Sequence, residues 1–78
     1  MLELRPNCEC CDGDLPPAAD AFICTFECTY CPDCAAKLEH ACPNCGGNLV
    51  TRPIRPAGKL ITYPAATKRT LRAEPCFT

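Results

Sequence analysis

Apolar side chains are sparse in this chain and gather in short runs. Before residue 52 the larger ones, cysteine aside, are Met1, Leu2, Leu4, Leu15, Phe22, Ile23, Phe26, Tyr30, Leu38, Leu49 and Val50. Residues 21–27, Ala-Phe-Ile-Cys-Thr-Phe-Glu, are rich in β-formers and predict a short strand. Residues 35–40, Ala-Ala-Lys-Leu-Glu-His, are good helix formers directly after a Cys-x2-Cys turn and predict one to two turns of helix. Residues 48–51 are expected to close the unit as a second short strand, giving a small β-hairpin beside one helix. Asp-Gly and Pro-Pro mark residues 12–17 as a loop. Gly46 and Gly47 permit the positive φ angles of a tight turn.

The pattern changes at Arg52. Pro53, Pro56, Pro64 and Pro75 punctuate the remainder, and no period of 2 or 3.6 persists; residues 60–63 read at most as a brief strand. The expected organisation is a compact domain over 1–51 and a tail over 52–78, partly disordered or docked on the head. Charge divides at the same place. Two basic side chains stand against eight acidic ones before Arg52, and six basic against one acidic from Arg52 onward, within a formal net charge of −1. The head is acidic and the tail basic.

With 78 residues there is room for one domain, and its core is poor. Chains this short rarely bury enough surface to offset the entropy of ordering the backbone, and they use disulfides or metal instead. Cysteine supplies 10 of the 78 residues. The N-terminal stretch carries no basic leader followed by an apolar run, and nothing approaches a transmembrane span. A reducing cytoplasmic location without membrane attachment is therefore expected, where paired thiols mean metal rather than disulfides.

Eight of the cysteines fall in four close pairs: Cys8-x2-Cys11, Cys24-x3-Cys28, Cys31-x2-Cys34 and Cys42-x2-Cys45. Such a turn aims two thiolates at one ion while backbone N–H groups face the sulfurs, and two turns complete a tetrahedron. Four pairs predict two four-cysteine sites and two Zn2+ ions, although four thiolates would also accept iron. A closed thiolate site activates no water, so the metal is structural and its binding energy is folding energy. Two pairings are open. Sequential pairing joins the first pair to the second and the third to the fourth. Crossed pairing places Cys8, Cys11, Cys31 and Cys34 on site 1 and Cys24, Cys28, Cys42 and Cys45 on site 2, so that each ion ties distant segments together.

The spacing of all eight cysteines resembles the RING finger, with Cys28 where many RINGs carry His and Cys-Pro-Asn-Cys at 42–45 like the last RING knuckle. The resemblance implies the crossed pairing and a helix after Cys34, hence a small α+β RING-like cross-brace. It transfers activity poorly. Ubiquitin-ligase RINGs dock a conjugating enzyme through an apolar residue after the first ligand, apolar residues on the helix and often a basic residue after the last ligand. Here Glu9, Ala36, Leu38 and Gly46 stand there, and Glu9 would turn a carboxylate toward an apolar partner. The opening Met-Leu-Glu-Leu-Arg-Pro-Asn-Cys-Glu-Cys-Cys, with Ile23–Thr29 and Cys42–Gly47, is similar to a family of short bacterial cysteine-rich proteins of unknown function over about residues 1–56. That resemblance supplies no activity.

Cys10, beside two expected ligands, is read as a bystander pointing away; substitution for Cys8 or Cys11, or a thiol of lowered pKa, are its alternatives. Cys76 is read as an incidental thiol, with an intermolecular disulfide as its alternative. His40 is expected to be a polar helix-end residue, and Asp12 and Asp14 turn formers rather than an acid–base pair. No catalytic constellation assembles. The expected role is a non-catalytic zinc protein serving as an interaction or scaffold module for a protein partner. The alternatives are nucleic-acid binding through Arg52, Arg55, Lys59, Lys68, Arg69, Arg72 and Tyr63, a thiol-redox or zinc-buffering role, and, last, a ubiquitin-ligase-like RING.

Overall fold

The computed structural model describes residues 1–74 and 76; Pro75, Phe77 and Thr78, at the end of the expected tail, lie outside them. Regular structure is scant. Three two-residue strands, β1 (Phe22–Ile23), β2 (Thr29–Tyr30) and β3 (Val50–Thr51), form an antiparallel sheet in the order β2-β1-β3. Phe22 lies opposite Tyr30 and Thr51, and Ile23 opposite Thr29 and Val50. The strand expected over 21–27 is cut short because the chain leaves β1 at Cys24 to turn. Glu27 N–H donates to the Cys24 carbonyl at 3.0 Å, and Glu27 takes a φ of 64°. The returning partner is β2, which local composition did not mark.

The helix begins earlier than residues 35–40 suggested, as α1 (Pro32–Lys37). Cys31 is its N-cap, accepting a hydrogen bond from Cys34 N–H, and Pro32 starts the first turn, where its missing N–H costs nothing. Asp33 in the first turn and Lys37 in the last suit the helix dipole. Glu39 and His40 adopt φ values of 54° and 58°, ending the helix, with His40 N–H reaching back to the Ala35 carbonyl.

The core is small. Leu4, Leu15, Ala21, Ile23, Tyr30, Ala35 and Leu49 are buried together with Cys8, Cys24, Cys28, Cys34 and Cys42. Polar groups are buried with them. Arg52 is 2 % exposed; its guanidinium donates to the carbonyls of Arg5 and Pro16, both at 3.1 Å, and its Nε meets no acceptor among the described residues. Burial lowers its pKa, but a guanidinium stays charged. It therefore ties the N-terminal segment to the end of the sheet.

Residues 60–63 make no strand. A 3-10 helix, Ala57–Lys59, leads into a turn in which Tyr63 N–H donates to the Lys59 carbonyl. Arg55 bridges this turn to the N-terminus, donating to the Tyr63 and Leu2 carbonyls at 2.7 and 2.6 Å. Beyond it the chain runs back along the N-terminal segment as a strap. Ala66 N–H donates to the Leu4 carbonyl, Thr70 exchanges two hydrogen bonds with the Asn7 side chain, and Arg72 N–H donates to the Glu9 carbonyl.

Candidate metal centre

Three of the four cysteine turns are built by the same local device. Asp12 N–H returns to the Cys8 carbonyl, Glu27 N–H to that of Cys24, and Gly46 N–H to that of Cys42, and each of these three donor residues has a positive φ. Gly46, at 76°, adopts this conformation without cost; Asp12 tolerates it, and Glu27 does so against its preference. The remaining turn, Cys31–Cys34, is the start of α1. Backbone amides face the sulfurs in several of these turns: Phe26 N–H lies 3.3 Å from Cys24 Sγ, Cys34 N–H 3.4 Å from Cys31 Sγ, and Gly47 N–H 3.4 Å from Cys45 Sγ.

These turns bring the sulfurs together in two groups. Cys8, Cys11, Cys31 and Cys34 form one, with every sulfur within 4.8 Å of the others. Cys24, Cys28 and Cys42 form the other by the same measure. Cys45 stands outside that compact trio and is exposed, though its thiol interacts with those of Cys24 and Cys42. All eight are free thiols. The donor set fits a thiophilic ion. A tetrahedron with Zn–S of about 2.3 Å has edges of about 3.8 Å, and the Cys11 and Cys31 sulfurs are 3.8 Å apart.

The two groups differ electrostatically. In the first, burial raises the Cys8 pKa, but backbone donors at Cys11, Cys31 and Cys10 bring it below its ordinary value. Cys34 is driven far up by burial and by the neighbouring thiols of Cys31 and Cys8. In the second, burial pushes Cys28 up to about 11. Burial also raises Cys42, but donation from the Tyr30 hydroxyl and the backbone of Cys45 and Asn44 outweighs it and leaves the thiol at about 7. Tyr30 Oη lies 3.5 Å from Cys42 Sγ, and the Asn44 amide donates to both Cys28 Sγ and Tyr30 Oη. Neither Tyr30 nor Asn44 stands out in the sequence as a site residue; a Cys-x-Asn-Cys turn offers only a weak hint of such a donor.

Several other residues find their places here. Cys10 belongs to neither group: it is joined by a disulfide to Cys76, with 5.7 Å between their Cα atoms. This corrects the expectations of a bystander at Cys10 and an incidental thiol at Cys76, because the strap brings Cys76 to the first loop. His40 is exposed and stacks edge-to-face on Phe22, with ring centroids 5.2 Å apart, and belongs to neither sulfur group. Glu9 does not face outward as expected. It is 3 % exposed, and its carboxylate accepts from Thr29 N–H at 2.6 Å and from the Arg5 guanidinium at 2.9 Å. Asp12 and Asp14 hold Arg69 through ion pairs of 3.0 and 2.7 Å. Among the described residues, no helix is long and apolar enough to cross a membrane.

The family described as protein of unknown function (DUF1272) is matched over residues 1–55. An uncharacterized protein of Rhizobium meliloti (strain 1021), R02474, is 64 % identical over 78 residues, covering 97 % of this chain and 93 % of its own length. No solved structure matches.

Proposed function

The chain belongs to that bacterial family of short, cysteine-rich proteins, and from this premise we propose that it is a non-catalytic zinc protein whose two ions are structural, cross-braced in a RING-like manner, and whose folded loops serve as a cytoplasmic scaffold for a protein partner. The observation that carries the reading is the convergence of Cys8, Cys11, Cys31 and Cys34 from two segments twenty residues apart in sequence. These four would hold one ion. Cys24, Cys28 and Cys42 would hold the other, with Cys45 closing the tetrahedron. A bound ion supplies a cross-link and no reacting position.

The chain's own residues make the sites suitable. Amide N–H groups stabilise thiolate charge, and Tyr30 and Asn44 add side-chain donors at the second group. The alternating use of the pairs would lock β1, the turn into β2 and α1 together, which three two-residue strands would not do alone. Thiols kept free for metal also suit a reducing compartment. Phe26, 70 % exposed on the Cys24–Cys28 turn, is an apolar residue presented on a short, hydrogen-bonded loop.

Elemental analysis of purified protein, combined with thiol counting, tests this. Two zinc ions per chain are expected, with the eight clustered thiols unreactive until denaturation. Protein that is folded but carries less than one ion would overturn the reading, as would an iron-thiolate absorption spectrum for its choice of metal.

A further inference from the structure

We propose that the Cys10–Cys76 disulfide is a thiol-exchangeable latch that holds the strap, residues 66–76, over the first cysteine loop, and that a dithiol reductant opens it. The pair is set apart from every other cysteine. The remaining eight are free, and seven of them sit in the two compact sulfur groups with Cys45 beside the second. Cys10 lies between Cys8 and Cys11 in sequence yet bonds to the strap instead of joining the cluster. Both partners are half-buried, so a reductant can reach the bond.

What else holds the strap is slight. Residues 60–74 contain no strand and no α-helix. Their attachments to the N-terminal segment include single backbone hydrogen bonds from Ala66 and Arg72, the paired bonds of Thr70 with Asn7, and the exposed Arg69 ion pairs with Asp12 and Asp14. Exposed ion pairs add little. The disulfide spans 66 residues of sequence, so it removes far more freedom than any one of these contacts. Segments with few buried contacts are the ones that open locally.

The latch also touches both sulfur groups. Cys10 flanks two thiols of the first. Arg72, whose guanidinium lies 3.6 Å from Cys76 Sγ, donates to Asn44 Oδ1 at 2.6 Å, and Asn44 in turn donates to Cys28 Sγ in the second. Opening the bond therefore frees a basic strap from the acidic head and withdraws a support from Asn44.

The exchange balances with a dithiol as the only co-reactant. One thiolate of the dithiol attacks one sulfur of the pair, the Cys10–Cys76 bond breaks, and the departing thiolate takes a proton. The second thiol of the reductant then displaces the mixed disulfide. Two electrons and two protons pass to the protein, which gains two thiols, and the dithiol becomes a cyclic disulfide.

The metal reading bears on the latch only in its selectivity: thiols held as ligands would keep exchange at Cys10 and Cys76, whereas the bond itself needs no ion. Protein equilibrated with oxidised glutathione is compared with the same sample after dithiothreitol. Intact mass, differential alkylation with peptide mapping, tryptic cleavage after Lys68, Arg69 and Arg72, and elemental analysis are followed together. A Cys10–Cys76 cross-linked peptide is expected in the oxidised sample. After reduction Cys10 and Cys76 are the first to alkylate, and cleavage in the strap accelerates about tenfold or more. C76S should cleave at the fast rate under both conditions. Failure of the cross-link to form, or equal cleavage rates, overturns the latch. If no metal is found but the contrast in cleavage persists, the metal reading fails and the latch stands. If metal is present without the contrast, the latch fails and the metal reading stands.

Discussion

The segment before Arg52 and the segment after it are held by different forces. In the first, four cysteine turns gather sulfurs into two groups, and strands of two residues suffice because the turns set the geometry. In the second, the attachments include guanidinium groups over residues 52–72 and one disulfide at Cys76. Arg52 and Arg55 reach the carbonyls of Arg5, Pro16 and Leu2, Arg69 reaches Asp12 and Asp14, and Arg72 reaches Asn44. The opposite charges of the two segments thus meet within one chain. A short chain with little oil can be organised either by converging soft ligands or by charged donors aimed at backbone oxygens. On the metal reading proposed above, only the first kind would collapse on removal of one small ion.

Breaking that distinction calls first for the ligands. Cys34→Ser should lose one ion and the native NMR dispersion of the head, because structural zinc in small domains contributes roughly 10–16 kcal/mol of folding free energy. C76S should keep both ions and the head spectrum. If C34S retained two ions and native dispersion, the difference between the segments would vanish. Acid probes the same ligands. Burial raises Cys24 above its ordinary value and pushes Cys28 up to about 11, so both thiols hold their protons at neutral pH. Unfolded thiols, near 8.5, are also largely protonated there. An ion at the second group must displace at least these two protons. Its folding contribution is therefore full at high pH and lost as pH falls. Apparent affinity should drop about a hundredfold per pH unit between roughly 7.5 and 6.5, measured by chelator competition.

How much of this was legible depends on how local each signal was. The cysteine turns, the helix beside Cys34 and a strand at Phe22–Ile23 could be read because each is written within a few residues. The strand at Thr29–Tyr30 could not, since it is defined only by its partner across the Cys24–Cys28 turn. Pairing of Cys10 with Cys76 had no local mark, as 66 residues separate them and nothing in Ala-Glu-Pro-Cys announces a destination. Glu9 was placed by the RING resemblance on an outward docking loop after the first ligand. It lies inside because Thr29 N–H and Arg5 converge on its carboxylate. Arg52 looked like the first residue of a solvated tail and is instead among the most buried side chains.

Arg52 gives the next largest test. Arg52→Ala would empty a buried volume and remove the guanidinium donor from the Arg5 carbonyl and one of the two donors from the Pro16 carbonyl, which keeps Ala19 N–H, at a cost of about 3 kcal/mol. Both ions should remain bound, so the loss would appear in the denaturation midpoint and not in metal content. Arg55→Ala, at a half-buried site, should cost about 1 kcal/mol. If R52A were as stable as the parent, the guanidinium would be a passenger and the second segment would owe its place to the disulfide.

The smallest effect belongs to Arg69, whose ion pairs with Asp12 and Asp14 are exposed. Arg69→Ala should leave the unfolding midpoint unchanged within error, because water and salt already screen such pairs. Its signature is local. Asn7 receives the Thr70 N–H and the Glu9 carbonyl receives that of Arg72, so hydrogen exchange at these two amides reports strap opening directly. With the Cys10–Cys76 bond intact, exchange should quicken only about two- to fivefold in R69A, and about 1 M salt should reproduce that change in the parent protein. With the bond reduced, the same substitution should act on a strap already loosened, and the salt effect should shrink. Equal salt sensitivity in both redox states would mean that charge, and not the disulfide, keeps the strap in place.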